Sequence, residues 1–205
     1  RALQKSSINP IDRLTAGWYS EGQSTLSDVL VGGSILSPLL FVLDERMRGD
    51  LGIIGMMYLE TISFATFMPS YGKGSVRRVR PFVYGSPAPM TLKEDFESLR
   101  SFYSGHATWA FATSIFFATV YTDYHPDSEH TELIWGGAIG LASAVSLLRV
   151  TSGAHFLSDI AVGAAVGTAI GYTIPALHRR TDNSWSLAPA VTPQGSALRF
   201  TLHLK

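Results

Sequence analysis

The stretch FLSDIAVGAAVGTAIGYTI, from Phe156 to Ile174, carries one charge in 19 residues and places glycine at 163, 167 and 171. A window of that length and polarity approaches the ~20 residues an α-helix needs to cross a bilayer. Glycines four apart fall on one helix face and let a neighbouring backbone come close, the small-xxx-small pattern of membrane helices. In a water-exposed helix each interior glycine loses about 1 kcal/mol relative to alanine. The stretch therefore predicts a closely packed membrane helix. A tightly packed soluble bundle is the alternative that a mean hydropathy of +0.17 leaves open.

Four more apolar segments precede it: Leu26 to Leu43, Leu51 to Met68, Thr108 to Tyr121, and Leu133 to Leu148. Gly32, Gly33, Gly137 and Gly140 recur inside them. Acidic residues within the windows are Asp28, Glu60 and Asp159. Each costs about 2.5–3.5 kcal/mol at the centre of a membrane helix, so each is expected to face the bundle, sit near an end or serve a function. For Glu60, near mid-segment, a hydrogen bond to a neighbouring helix is expected.

The whole chain agrees with this reading. Its 205 residues suffice for one domain with a sizeable core. Sixteen basic and 16 acidic residues leave no net charge, which gives no reason to expect nucleic acid as a partner. Cysteine is absent, excluding disulfides, thiol catalysis and cysteine metal sites. The charged fraction is 16%, against ~25% in ordinary soluble domains. The expected architecture is an all-α integral membrane bundle of five or six helices over residues 1–180. An extension over 181–205 follows, in which Leu198, Phe200, Leu202 and Leu204 alternate with Arg199, Thr201, His203 and Lys205. That period of two, after Thr192-Pro193-Gln194-Gly195, predicts a small β-hairpin. At the other end Asn9-Pro10-Ile11-Asp12 predicts a helix start, with Leu14, Trp18 and Tyr19 as interfacial anchors. No charged leader with an apolar core and cleavage site is visible, and a leader ahead of Arg1 stays open.

Between the last two apolar segments lies Arg149-Val150-Thr151-Ser152-Gly153-Ala154-His155-Phe156-Leu157-Ser158-Asp159. On a helix, His155 and Asp159 share a face, and a carboxylate beside an imidazole fixes its tautomer and steadies its positive charge. Arg149 adds a five-donor fork suited to phosphate oxygens. The long loop from Ser70 to Ser101 contains Lys73-Gly74-Ser75-Val76-Arg77-Arg78-Val79-Arg80-Pro81 and a helix-forming stretch near Leu92 to Arg100. Ser104-Gly105-His106 then opens the third apolar segment, where amides at a helix N-terminus suit an anion. Taken singly, these stretches also fit a polar helix end, a solvated basic loop and an ordinary cap. If the second to fifth segments each span, however, the loop and the Arg149–His155 turn emerge on the same side. Two histidines and three cations then meet there.

These three stretches, in this order and spacing, resemble the signature of the type-2 phosphatidic acid phosphatase superfamily over residues 73 to 159. Tyr103 and Leu148 depart from it, standing where proline and serine are usual. The resemblance implies a phosphatase without metal or cofactor. It implies His155 as nucleophile, Asp159 orienting it and His106 as general acid and base. Lys73, Arg80, Ser104, Gly105 and Arg149 would then hold the phosphate. A lipid phosphate partner with its tails in the bilayer is expected: phosphatidic acid, phosphatidylglycerol phosphate, a polyprenyl diphosphate or lipid A. The implied location is an inner membrane with the site facing the periplasm. Lys73, Arg77, Arg78, Arg80, Lys93 and Arg100 on the site's side, against Arg46, Arg48, Arg179 and Arg180, give no independent sign of orientation once the ligands are set aside. Two alternatives are a soluble secreted acid phosphatase or vanadate-dependent haloperoxidase of the same superfamily, and a non-catalytic membrane protein that binds anionic lipid. Oligomeric state is not legible.

Overall fold

The structure, a computed structural model, describes residues 3–179 in full and the backbone of two strands beyond them. Seven α-helices occur among the described residues. They are α1 (Pro10–Arg13), α2 (Glu21–Leu36), α3 (Leu51–Ser75), α4 (Met90–Glu94), α5 (Gly105–Tyr124), α6 (Thr131–Thr151) and α7 (Leu157–His178). Asn9 starts α1 by accepting the Asp12 N–H on its side chain, as the sequence predicts. A 3₁₀ turn over Ser37–Leu43 lengthens α2, giving a 23-residue apolar segment from Glu21 to Leu43.

Four segments are long and apolar enough to cross a membrane: Glu21–Leu43, Arg48–Ser75, Thr131–Thr151 and Leu157–His178. They enclose α5, which touches α2, α3, α6 and α7. Position explains composition here. Surrounded by other helices, α5 has threonines 108, 113 and 119 and Ser114 buried among its apolar residues. Thr108 and Thr113 return their hydroxyls to the backbone carbonyls of Ser104, the N-cap of α5, and Trp109. The enclosing helices instead turn Val29, Leu39, Met56, Phe64, Ile139 and Tyr172 outward, a belt that suits acyl chains.

The glycine stripe of α7 lies against α5, as its spacing predicts. A Cβ on Gly163 would sit 2.7 Å from the Ser104 carbonyl oxygen, and Cβ atoms on Gly167 and Gly171 would fall on the carbonyls of Thr108 and Ala112. Gly32, Gly33, Gly137 and Gly140 have open space around them and do no such work. Glu60 faces His178 of α7 at 3.7 Å, a neighbouring-helix contact beyond hydrogen-bond distance rather than the expected hydrogen bond.

The loop expected from Ser70 is shorter than predicted, because α3 runs on to Ser75 and carries Lys73 in its last turn. The remainder is ordered by its own backbone. Arg78 and Arg80 donate their N–H groups to Leu99 and Ser98, and Ser101 donates back to the Arg78 carbonyl. Two extended pieces thus lie side by side, with α4 and a 3₁₀ turn over Phe96–Leu99 between them. The N-terminal segment closes over the same end: Gly17 N–H bonds Pro81 O, and Ser20 N–H bonds Ser152 O. Strands β1 (Trp185–Thr192) and β2 (Gly195–Leu202) pair antiparallel, Trp185 opposite Leu202. Arg180 and, within the predicted extension, residues 181–184, 193–194 and 203–205 lie outside the described residues.

Candidate active site

All eight site residues expected from sequence come to one end of the bundle, where α3 ends, α5 begins and α6 turns into α7. The turn between α6 and α7 is sharp. Gly153 adopts φ +75°, a conformation that favours glycine, and the Trp18 carbonyl occupies the space a Cβ would need. The Arg149 carbonyl then accepts from both Ala154 and His155 N–H, at 3.1 and 3.2 Å, tying the arginine to the histidine through the backbone.

His155 is 1% exposed and hydrogen bonds through Nδ1 to the Ser101 carbonyl oxygen at 2.7 Å. A carbonyl only accepts, so Nδ1 carries the proton and the lone pair of the neutral ring lies on Nε2. Burial, then the charges of Arg80, Arg149 and Lys73, holds the imidazole pKa well below the ordinary 6.5. An unprotonated nitrogen buried among cations is equipped to attack a centre that bears anionic oxygens.

Asp159 does not orient this ring directly, in contrast to the sequence expectation. Its Oδ2 stands 3.8 Å from His155 Nδ1, too far for a hydrogen bond. His155 lies ahead of the first turn of α7, so four-residue helical spacing does not apply to the pair. Asp159 instead accepts from Phe156 N–H at 2.9 Å, capping its own helix, and from Ser101 Oγ at 2.5 Å. It thereby positions the residue whose carbonyl holds His155. Its other oxygen pairs with Arg78 Nη1 at 2.5 Å, and Arg78 Nη2 reaches Asp12 at the same distance. Asp12 in turn accepts from the backbone and hydroxyl of Ser158. Arg78 is thus committed to two buried carboxylates rather than free in a solvated loop.

The cations differ in their commitments. Arg149 is 6% exposed; its Nη1 donates to Ser24 and Ser27 hydroxyls and to Asp28, while its buried Nε has no partner. Arg80 donates to the Glu97 carbonyl at 2.8 Å and lies 3.5 Å from the Glu97 carboxylate. Lys73 is half-buried, within electrostatic reach of Arg80 and Arg149. Arg80 and Arg149 share a cavity of about 320 Å³ with Tyr19, Glu97 and Ser152. An unpaired buried guanidinium nitrogen is costly unless an anion takes it.

The helix N-terminus offers less than expected. Ser104 donates its N–H to the Asp159 carbonyl at 3.2 Å and its Oγ accepts from Ala107 N–H, which leaves the hydroxyl proton as the donor Ser104 can turn to a ligand. The Gly105 and His106 amides have no acceptor among the described residues, and with the Ser104 hydroxyl they are the donors this end offers an anion. His106 donates from Nε2 to Asp28 Oδ1 at 2.7 Å. Tyr103, where proline is usual, lies on Gly72 of α3, at which a Cβ would meet its ring at 2.8 Å.

Sequence reasoning did not assign Ser101, Arg78, Asp12 or Asp28 to the site. Asp28 alone gave a signal, as an acid inside an apolar window. The others act through tertiary contacts with no local pattern.

Comparison with known proteins is consistent with the geometry. The PAP2 superfamily profile matches residues 54–182, more than half of the chain. No curated protein matches. Among solved structures, a transmembrane PAP2 type phosphatidylglycerolphosphate phosphatase from Bacillus subtilis is similar, with 21% identity, a TM-score of 0.61, and 86% of this chain and 88% of that one covered. LpxE from Aquifex aeolicus is similar at 24% identity and a TM-score of 0.51, covering 80% of this chain and 92% of that one. At these identities the two structures speak for the fold.

Proposed function

This chain belongs to the PAP2 superfamily and is an integral membrane protein, and from that premise we propose that it hydrolyses a lipid phosphate or diphosphate through a phosphohistidine at residue 155. His155 Nε2 attacks phosphorus and the P–O bond to the leaving group breaks. His106 protonates the departing oxygen, then takes a proton from the water that cleaves the P–N bond. Arg149, Arg80, Lys73 and the Gly105 amide face the non-bridging oxygens, where charge accumulates in phosphoryl transfer. Asp159 acts one step back, through Ser101.

One observation carries the reading: the Nδ1 proton of a buried His155 is taken by a main-chain carbonyl at 2.7 Å, leaving Nε2 unprotonated beside three cations. The active site would face the periplasm at the bilayer surface, the tails of the substrate remaining in the bilayer. Four membrane-length segments weigh against a soluble phosphatase. Phosphatidic acid, phosphatidylglycerol phosphate, polyprenyl diphosphate and lipid A are the candidates, and the second has the added support that one structure of similar fold is a phosphatidylglycerolphosphate phosphatase.

The test is phosphate release from these four compounds by the detergent-solubilised full chain, with His155→Ala as control. At least one should be hydrolysed, and His155→Ala should lose turnover while eluting as the parent does. A control within tenfold of the parent removes the nucleophile assignment, and lipid binding without phosphate release favours the non-catalytic alternative.

A further inference from the structure

α2 begins well before the residues that carry the family match and contains none of the three motifs, yet it holds two of their side chains. Asp28 Oδ1 accepts from His106 Nε2 at 2.7 Å and from Arg149 Nη1 at 3.4 Å. Ser24 and Ser27 take the same Nη1 at 3.0 and 3.1 Å. The guanidinium is gripped at that corner while its Nε stays unpartnered. Asp28 therefore does not stand in for a ligand at the open edge. The geometry points to Asp28 as a positioning residue that joins His106 to Arg149 and balances the charge His106 carries as a proton donor.

The inference rests on the phosphatase reading above. His106 is faced by Lys73 from α3, Arg149 from α6, His155 from the α6–α7 turn and Asp28 from α2. Cations suited to phosphate repel the proton that the acid step requires, and Asp28 is the one carboxylate in contact with the ring among the described residues. With Nε2–H engaged by Asp28, transfer to the leaving oxygen falls to Nδ1, which later regains a proton from water. The arrangement gives the acid histidine a carboxylate of its own, while Asp159 serves the other histidine through Ser101.

The test uses the full chain in detergent and the most rapidly hydrolysed compound of the panel, with kcat and KM followed against pH. Asp28→Asn keeps the shape and an acceptor but removes the charge. It should lower kcat about 10- to 100-fold with KM changed less than about threefold. The basic limb of kcat should move about one pH unit or more toward acid. Asp28→Glu should restore the limb to its parental position and recover most of the rate. Asn activity within threefold of the parent overturns the inference, as does a fall in kcat with the limb unmoved, which is what a merely structural role gives. If the Asn chain does not elute as the parent does, a displaced limb in Asp28→Glu has the same force. An inactive His155→Ala beside an unaffected Asp28→Asn sinks this inference alone, whereas an active His155→Ala sinks the phosphatase reading with it.

Discussion

The imidazole of His155 is held by the main-chain carbonyl of Ser101, 2.7 Å from Nδ1, and not by the carboxylate of Asp159, 3.8 Å away. A carbonyl orients a ring and fixes its tautomer as a carboxylate does, but it adds no full negative charge. The ring accordingly stays neutral in a cationic pocket. The carboxylate is spent on building the scaffold, through Ser101, the α7 cap and Arg78.

Asp159→Ala follows from that division. It leaves Arg78 with one of its two carboxylates and strips Ser101 Oγ and Phe156 N–H of an acceptor. Breaking a buried ion pair from one side costs about 3–5 kcal/mol. Thermal unfolding in detergent should show a large drop in midpoint together with loss of turnover. A midpoint equal to the parent's with turnover lost would return Asp159 to a direct role at the ring.

Arg149→Lys keeps the charge and loses the planar fork. Lysine has no Nε to present beside a second nitrogen, and the Nη1 contacts with Ser24, Ser27 and Asp28 go as well. Turnover measured as kcat/KM should fall at least tenfold, about 1.4 kcal/mol in the transition state. A loss below about 1 kcal/mol would remove Arg149 from the phosphate site.

The depressed pKa of His155 sets a sign for the pH dependence. A neutral nucleophile is needed, and burial with the neighbouring cations keeps it neutral well below pH 6.5. The acid limb of kcat/KM should therefore lie well to the acid side of 6.5. Stability moves in the same direction. The unfolded chain takes up this proton near pH 6.5 and the folded chain only at lower pH, so the folded state is disfavoured as pH falls through that window. A kcat/KM profile with its acid midpoint at 6.5 or above would contradict a buried neutral ring.

Much of the fold was legible in order along the chain. Hydropathy marked five apolar segments, and the spacing of Gly163, Gly167 and Gly171 announced a close helix contact, which α5 supplies. It did not tell these glycines from Gly137 and Gly140, which face open space, because packing partners are not written in spacing. Hydropathy ends the second apolar segment at Met68, whereas α3 continues past Pro69 to Ser75, the buried proline being tolerated within it.

Of the site, the sequence by itself determined the motif residues and the end of the bundle at which they gather, since short spacings and the parity of crossings are local or countable. Only the tertiary structure decided which acid serves which histidine. Asp159, four residues from His155, belongs to Ser101 and Arg78, while Asp28, 78 residues from His106, lies against that ring. The physical reason is that hydrogen bonding depends on distances of about 3 Å, and those are set by helices packed side by side and by a turn at Gly153, not by nearness along the chain.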